Sequence, residues 1–223
     1  MTNSRLVTER GQVVAACRHL ADHGLVIGTA GNVSVRADDL IAITASGARL
    51  ADITVDQVTV TDLDGAVVEG QLAPTSELQL HLDVYRRLQT GAVVHTHAPM
   101  STALSCVLDE LPVVHYQQLL LGGPTKVAPF HPFGTTELAE AVSAALGGTN
   151  AALMANHGAV THGQTLEQAV EYSLLLEWAC TLYRDASVLG HPRTLSEDQQ
   201  AAVIETAVRL KYGQTQHISE EPE

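Results

Sequence analysis

Two histidines lie one residue apart in the stretch GAVVHTHAPM, residues 91–100. The apolar run before them predicts a strand. Because side chains alternate between the two faces of a strand, His95 and His97 point to one face and Thr96 to the other. Two imidazoles placed in this way can bind a single divalent ion. Two hydrogen-bonded surface histidines would have the same spacing, so the tripeptide alone leaves both interpretations open.

Glu77 and His157 could meet the histidine pair in the folded chain. Glu77 stands at the start of a predicted helix that leads directly into the strand of His95, and His157 precedes Gly158, which permits a tight turn. A helix start, a strand end and a turn can converge on one pocket, as in three-histidine zinc sites with an open coordination position. Glu77 would then be a fourth ligand or a nearby base. Alternatively, Glu77 complements the helix dipole and His157 bonds to the backbone.

Other histidines compete for the same interpretation. His19 and His23 are four residues apart on a predicted helix, a spacing that can also hold a metal. They precede Gly24, however, where such side chains simply complement the C-terminus of the helix. His81 lies one turn after Glu77 and could support it from behind. Spacing gives no convincing partner to the remaining histidines, which are His115, His131, His162, His191 and His217.

Three segments are rich in glycine and hydroxyl groups: GTAGN (28–32), TASG (44–47) and PTS (74–76). None is a G-x-G-x-x-G or Walker motif. The last segment opens a predicted helix, where free backbone amides attract anions. Together the three loops could form a phosphate cradle, but ordinary turns would look much the same, so the pattern leaves the matter open.

Composition narrows the class of protein. The chain has 223 residues, enough for one well-buried core, and its formal charge of −13 with only 12 scattered Lys and Arg argues against nucleic-acid binding. The apolar runs are too short to span a bilayer and the N-terminal segment lacks a signal-peptide core, so we expect a cytoplasmic protein that does not bind membranes. Cys17, Cys106 and Cys180 are too far apart for a thiolate zinc site, and we expect Cys106 and Cys180 to fill the core.

Hydrophobic periodicity predicts helices over 5–23, 99–108, 135–146, 165–189 and 196–210, and over the segment PTSELQLHLDVYRRLQTG. In that segment, Ser76 and Gln79 are predicted to form a capping box and Gly91 to end the helix. Strands are predicted at 32–36, in LIAITASG, around a hairpin at Asp64-Gly65, in AVVHTH, and on both sides of the His157-Gly158 turn.

Short strands that alternate irregularly with helices do not have the rhythm of a doubly wound or barrel fold. We therefore expect a single α/β domain of α+β character over 1–213, with a mixed, largely antiparallel central sheet flanked by helices. The acidic residues near the end of the chain predict a flexible tail at 214–223.

These motifs resemble the class II aldolase/adducin-head family over nearly the whole chain. GTAGNVSVR, ITASG, PTSELQLH, AVVHTHA, VHYQ, PFGTTELAE and NHGAV stand in the order and at the spacing typical of that family, as does KYG near the C-terminus. The resemblance implies the class II aldolase fold and a homotetramer whose sites lie between subunits.

The resemblance also implies roles for individual residues. His95, His97 and His157 would hold zinc, or another divalent ion such as cobalt or manganese. Glu77 would bind the ion at rest and serve as proton acceptor and donor. Tyr116, acting across the subunit interface, and Tyr212 would assist proton transfer and position the aldehyde.

The family's phosphate and substrate contacts map onto the hydroxyl-rich loops. The residues implied are Thr29, Gly31, Asn32, Ser46, Gly47, Thr75 and Ser76, with Phe133 nearby. Two departures from the common family motifs, TASG and TSE, keep their hydroxyl groups.

What the resemblance implies about activity is a metal-dependent retro-aldol cleavage. The substrate would be L-fuculose 1-phosphate or a similar deoxyketose 1-phosphate, and the products dihydroxyacetone phosphate and an aldehyde. The same fold also hosts a methylthioribulose-1-phosphate dehydratase, a decarboxylase of phosphorylated sugar acids, and pentulose-phosphate epimerases, which generally carry Asp where this chain has Glu77.

Two interpretations from other classes of protein have less support in the sequence than the aldolase interpretation. A non-enzymatic adducin-like scaffold would be expected to lose the metal-binding histidines, and all three are present. A cupin-like metalloprotein also uses an H-x-H pair, but it would need an all-β chain, and the predicted helices at 165–189 and 196–210 argue against one.

Overall fold

The structure is a computed structural model that describes residues 5–215. Its α-helices within that range are α1 (Val7–Asp22), α2 (Leu78–Leu88), α3 (Pro99–Ser105), α4 (Thr136–Ala145), α5 (Leu166–Leu189) and α6 (Glu197–Leu210). Its strands are β1 (Asn32–Ala37), β2 (Leu40–Thr44), β3 (Val58–Asp62), β4 (Val67–Glu69), β5 (Ala92–Thr96), β6 (Glu110–Leu111), β7 (Thr125–Ala128), β8 (Ala151–Met154) and β9 (Gly158–Gly163). Short 3₁₀ helices lie at Val55–Gln57 and Tyr116–Leu121.

In the described region, the nine strands form one sheet in the order β4-β3-β2-β1-β5-β9-β8-β7-β6. Each neighbouring pair is antiparallel except β7 and β8, which are parallel. The prediction of one α/β domain with a mixed, largely antiparallel sheet is therefore confirmed. Strand β5, which leads into the histidine pair, lies in the middle of the sheet between β1 and β9.

Helices cover both faces of this sheet, and side chains of the central strands alternate between them. Val94 of β5 belongs to an apolar cluster with α1 and α5, whereas Val93 belongs to a cluster with α2 and α4. His95 shares the face of Val93, because the two are two residues apart on one strand. The strand therefore directs His95 towards the side of the sheet on which α2 packs.

The helix predicted over 196–210 is confirmed as α6, whereas the capping box predicted for α2 is wrong. Ser196 caps α6 and forms a capping box with Gln199. In α2 the N-cap residue is Glu77 itself, and the side chain of Gln79 donates instead to Asp83 Oδ1 at 2.7 Å. A bond four residues along the helix therefore replaces the capping box expected from Ser76.

The sequence predicts that Gly91 ends α2, and this prediction is wrong. The helix ends at Leu88, and Gln89 adopts the left-handed conformation that terminates it. A Cβ atom at Gly91 would collide with the carbonyl oxygen of Gln164. The glycine therefore lets the start of β5 approach the end of β9 closely.

Two further expectations differ from the structure. Strand β7 is not predicted from the sequence, because its four residues, Thr125–Ala128, are too few to show an alternating pattern. Cys106 is exposed rather than part of the core, because α3 ends at Ser105, whereas Cys17 and Cys180 are buried.

The last described element is α6, and none of its residues is buried. From residue 216 onward, the predicted tail at 214–223 lies outside the described residues, so its flexibility stays a prediction. Between residues 5 and 215, no helix combines the length and hydropathy needed to cross a membrane.

The close approach of β9 to β5 at Gly158 gives a test of the fold. A Cβ atom there would collide with the carbonyl oxygen of Thr96 and lie 3.3 Å from the imidazole of His95. We expect Gly158→Ala to lower the free energy of unfolding by about 1–3 kcal/mol, the usual range for overpacking.

Urea denaturation measures this change, and Gly11→Ala is the matched control. Gly11 lies in α1 with nothing within 4 Å of its added Cβ atom, so alanine there should stabilise by about 0.5–1 kcal/mol. Equal effects of the two substitutions would contradict the assigned contact.

Candidate metal centre

Strand pairing brings distant histidines together. His97 directly follows β5, and its backbone N–H donates to the carbonyl oxygen of Leu25 at 3.1 Å. His157 directly precedes β9, in a turn closed by its N–H to the carbonyl oxygen of Met154 at 3.1 Å. Because β5 and β9 are antiparallel neighbours, the end of one strand adjoins the start of the other. The turn therefore holds His157 beside the histidine pair.

The three imidazoles form a nearly equilateral cluster. Their ring centroids lie 4.7 Å apart for His95 and His97, and 4.9 Å apart for each of the two pairs that include His157. One nitrogen from each ring can be chosen so that all three lie within 4.8 Å of one another. His95 is fully buried and the other two are half-buried, so the cluster opens to one side.

Glu77 lies against this cluster at the N-terminus of α2. Its Oε2 is 3.1 Å from Nε2 of His95 and accepts a hydrogen bond from Nδ2 of Asn32 at 2.9 Å. Its Oε1 is 3.6 Å from Nε2 of His157. The structure thus brings together all four residues for which metal binding was predicted.

Burial and mutual contact set the charges of the site. Burial and neighbouring His95 lower the pKa of His97 to about 3 and that of His157 to about 4. Burial alone would lower the pKa of His95, but the Glu77 carboxylate raises it. Burial alone would raise the pKa of Glu77, but His95 and Asn32 hold it well below its ordinary value. His97 and His157 are therefore neutral at physiological pH, the form of imidazole that binds metals.

The donor atoms fit a divalent cation. Nδ1 of His95 donates to the carbonyl oxygen of Ala159 at 3.0 Å, which turns Nε2 towards Nε2 of His97, only 2.9 Å away. Oε1 of Glu77 is buried without a hydrogen-bond partner among the described residues. Electron-rich atoms that face one another in a buried place need a positive charge between them. A set of imidazole nitrogens and one carboxylate suits zinc, cobalt or manganese.

The rival histidine pair has a simpler explanation. Nδ1 of His23 lies 2.9 Å from the carbonyl oxygen of His19, at the end of α1. The two side chains are exposed, and no third metal-ligating group joins them in the described region. The pair therefore completes the helix terminus and does not resemble a metal site.

The hydroxyl-rich loops lie side by side next to the cluster. The N–H of Ser46 donates to the carbonyl oxygen of Ala73 at 2.9 Å, and that of Thr75 donates to the carbonyl oxygen of Thr44 at 3.0 Å. A Cβ atom at Gly31 would lie 2.9 Å from the carbonyl oxygen of His95, so the first loop also adjoins β5. The residues of these loops that are exposed are Gly28, Thr29, Ser46, Gly47 and Ser76.

Two of the predicted substrate residues are buried instead. Asn32 is 4% exposed and contacts Glu77, and Thr75 is 7% exposed and its Oγ1 accepts the N–H of Glu77 at 3.3 Å. In this structure Asn32 holds the carboxylate of Glu77, and Thr75 holds its backbone N–H. Their contact with substrate stays a prediction.

Phe133 projects from a loop that touches the start of α2. A Cβ atom at Gly134 would lie 2.8 Å from the carbonyl oxygen of Ser76, whereas the ring of Phe133 is 69% exposed. The aromatic side chain thus stands free beside the helix start that carries Glu77.

Tyr116 and Tyr212 meet each other rather than the histidines. Their hydroxyl oxygens are 3.3 Å apart, and both rings are half exposed beside α6. Tyr116 follows β6, which lies four strands from β5, or roughly 19 Å at about 4.8 Å per strand. Within residues 5–215 of one chain, neither tyrosine has a hydrogen bond or ring contact with the three imidazoles.

Sequence reasoning identified His81 as a possible support for Glu77 but missed the buried polar residues that connect with it, Ser34 and Tyr85. His81 is fully buried and contacts both Asn32 and Ser34, and Ser34 also contacts Tyr85. The signal was available in the spacing, because Glu77, His81 and Tyr85 are four residues apart on one helix. On the strand, Asn32 and Ser34 are two residues apart and share a face.

Comparison with known proteins agrees with this architecture. Residues 11–184 match the family described as Class II Aldolase and Adducin N-terminal domain. The chain is 37% identical over 207 residues to the 5-methylthioribulose-1-phosphate/5-deoxyribulose-1-phosphate aldolase of Rhodospirillum rubrum, a match that covers 92% of this chain and 93% of that protein. It is 35% identical over 195 residues to the L-fuculose phosphate aldolase of Escherichia coli, with 86% and 90% covered.

A solved structure of an L-fuculose 1-phosphate aldolase has the same fold. It superposes with a TM-score of 0.88 at 30% identity, and the match covers 95% of this chain and 100% of that one. The chain belongs to the class II aldolase and adducin N-terminal domain family. The resemblance drawn from its motifs is thereby confirmed.

The cluster gives a direct test of metal binding. We expect the purified protein to hold close to one zinc ion per chain after dialysis against zinc, and His97→Ala to lose most of it because a three-nitrogen site loses one ligand. Elemental analysis by mass spectrometry measures the content.

The matched control is the double variant His19→Ala, His23→Ala, which removes the other closely spaced histidines and should retain the wild-type metal content. Loss of zinc from this control, with retention by His97→Ala, would place the ion at the end of α1 instead.

Proposed function

We propose that this protein is a divalent-metal-dependent aldolase that cleaves a ketose 1-phosphate to dihydroxyacetone phosphate and an aldehyde. The observation that carries the proposal is the meeting of three imidazole nitrogens with an incompletely bonded, buried carboxylate at Glu77. The two relatives described above carry aldolase names and act, by those names, on ketose phosphates. Family membership and site chemistry therefore support the same reaction class.

The proposed reaction breaks one carbon–carbon bond and moves one proton. His95, His97 and His157 would hold the ion, with Glu77 as a further ligand at rest. When bound, a divalent ion supplies Lewis acidity that stabilises negative charge on substrate oxygens beside the breaking bond. Glu77, a carboxylate at rest, would take up the proton that the hydroxyl group of the aldehyde half releases and deliver it to the donor carbon, which regenerates the carboxylate.

The substrate phosphate would bind at the hydroxyl-rich loops. Thr29, Ser46 and Ser76 are exposed there, and the Gly47 backbone has a positive φ of 74° that an L side chain rarely adopts. Backbone amides at the start of α2 add a favourable site for an anion. The loops therefore offer neutral hydrogen-bond donors for a phosphate without requiring a lysine or arginine.

The aldehyde would be positioned by Phe133 and by tyrosines of a neighbouring subunit. Tyr116 is separated from the cluster of its own chain by several strands, and α6 exposes large apolar side chains at Ile204, Val208 and Leu210. Exposed apolar surface of this kind is typical of a protein–protein interface. We therefore propose a homotetramer in which Tyr116 and Tyr212 complete a site from across the interface.

The identity of the substrate rests on the relatives. Their names give 5-methylthioribulose 1-phosphate, 5-deoxyribulose 1-phosphate and L-fuculose phosphate, which suggest a deoxyketose 1-phosphate. Zinc is our proposed ion, with cobalt or manganese as the alternatives, since imidazole binds all three. Cytoplasmic localisation stays a prediction.

A panel of ketose 1-phosphates tests the reaction class. With zinc-loaded protein, we expect L-fuculose 1-phosphate, 5-deoxyribulose 1-phosphate or 5-methylthioribulose 1-phosphate to give dihydroxyacetone phosphate, identified by mass. Chelation should abolish turnover while circular dichroism stays unchanged. Loss of water, release of carbon dioxide, or isomerisation without cleavage would instead assign dehydratase, decarboxylase or epimerase activity.

Mixed oligomers test whether sites are shared between subunits. We expect Glu77→Gln and Tyr116→Phe each to lower kcat by about 10²–10⁴-fold, the usual size of a lost proton-transfer group. Co-assembled subunits of the two variants should regain activity at about a quarter of the sites, as random assembly around a cyclic ring gives.

Tyr183→Phe is the control, because this half-buried tyrosine of α5 lies outside the proposed site. It should leave kcat unchanged. Mixed oligomers no more active than their parents would show that each subunit uses its own Tyr116.

A further inference from the structure

A continuous chain of buried polar groups runs from Glu77 into the core. Nδ2 of Asn32 donates to Oε2 of Glu77 at 2.9 Å, and Oδ1 of Asn32 lies 2.5 Å from Nε2 of His81. Nδ1 of His81 lies 2.7 Å from Oγ of Ser34, which lies 2.7 Å from the hydroxyl oxygen of Tyr85. All five residues are at most 5% exposed. We name these residues, Glu77, Asn32, His81, Ser34 and Tyr85, the polar chain.

The polar chain alternates between a helix and a strand of matching repeat. Glu77, His81 and Tyr85 advance along α2 by four residues a step, which is about 6 Å. Asn32 and Ser34 are one two-residue step apart on β1, about 6.6 Å. The two repeats are nearly equal, so each strand side chain fits between two helix side chains.

The direction of every hydrogen bond follows from the carboxylate. A glutamate carboxylate at neutral pH can only accept hydrogen bonds, so Asn32 must turn its amide nitrogen towards Oε2 of Glu77. The oxygen of Asn32 then faces His81, whose Nε2 must carry the proton. Nδ1 of His81 accepts from Ser34, and Ser34 accepts from Tyr85.

We infer that His81 is a positioning residue, which fixes the amide orientation of Asn32 and thereby the rotamer of Glu77. Without a donor at His81, Asn32 could turn its oxygen towards the carboxylate. The inference rests on the proposed function only for the role of Glu77 as proton carrier. The hydrogen bond from Asn32 engages Oε2, so Oε1, which has no hydrogen-bond partner within residues 5–215, lies on the side of His157.

Nitrogen NMR tests the polar chain without any turnover. In protein labelled at histidine, we expect the His81 signal to show a protonated Nε2 and an unprotonated Nδ1, in both the metal-free and the zinc-loaded protein. Burial lowers the pKa of His81 to about 3, so this neutral form should persist at neutral pH. A proton on Nδ1 would reverse the chain and overturn the inference.

Kinetics of His81→Leu and His81→Gln test the consequence for Glu77. We expect His81→Leu to lower kcat by about 10–100-fold, as loss of a residue that supports a metal ligand usually does. KM should change by less than about threefold, because the exposed hydroxyl groups of Thr29, Ser46 and Ser76 do not contact His81. His81→Gln keeps an N–H donor near the position of Nε2 and should recover most of the activity.

The matched control is His162→Leu. His162 is also buried and hydrogen-bonded on both ring nitrogens, to Thr90 Oγ1 and the carbonyl oxygen of Thr149, but it lies outside the polar chain. Both leucine variants should lower the unfolding temperature, whereas only His81→Leu should lower kcat. An equal fall in kcat for both, or no rescue by glutamine, would reduce His81 to a structural residue.

The two levels of proposal can fail separately. If wild-type protein cleaves no ketose 1-phosphate, the proposed function is wrong, while the NMR tautomer still decides the direction of the polar chain. If wild-type protein is active and His81→Leu equals wild type, the function stands and the positioning role is overturned.

Discussion

The close contact between β5 and β9 at Gly158 is the constraint on which the site depends. Because Gly158 has no side chain, the two strands can pair as far as the turn that carries His157. Without that approach, His157 could not meet a histidine pair some sixty residues earlier in the chain. The cluster is therefore a product of the whole sheet, and its geometry is as stable as the central strand pair.

This arrangement gathers atoms that repel one another in the absence of a cation. Nε2 of His95 and Nε2 of His97 face each other, and among the described residues the buried Oε1 of Glu77 has no hydrogen-bond partner. The surrounding fold holds them there, because their backbones are fixed by strand pairing and by the start of α2. Such preorganised groups gain most when a positive charge enters between them.

The positions of the three histidines could be predicted from the sequence, because they follow from local strand and turn patterns. The alternation of a strand predicted that His95 and His97 share a face, and the His-Gly turn predicted that His157 stands at a bend. The capping box at Ser76 was predicted wrongly, because local signals cannot show that Gln79 has a better partner in Asp83. Residue types alone also could not show that Asn32 lies behind the carboxylate, since that depends on how α2 packs against β1.

The same packing divides the site into a fixed half and a variable half. Glu77 is tied to the core through Asn32 and His81, where any change in volume or polarity disturbs the main sheet. Phe133 and the tyrosine pair are exposed and lie on a loop, a 3₁₀ helix and the segment after α6, which tolerate substitution far better. Under the proposed function, the buried half would therefore set the proton transfer at the donor carbon, while the exposed residues would set the choice of aldehyde.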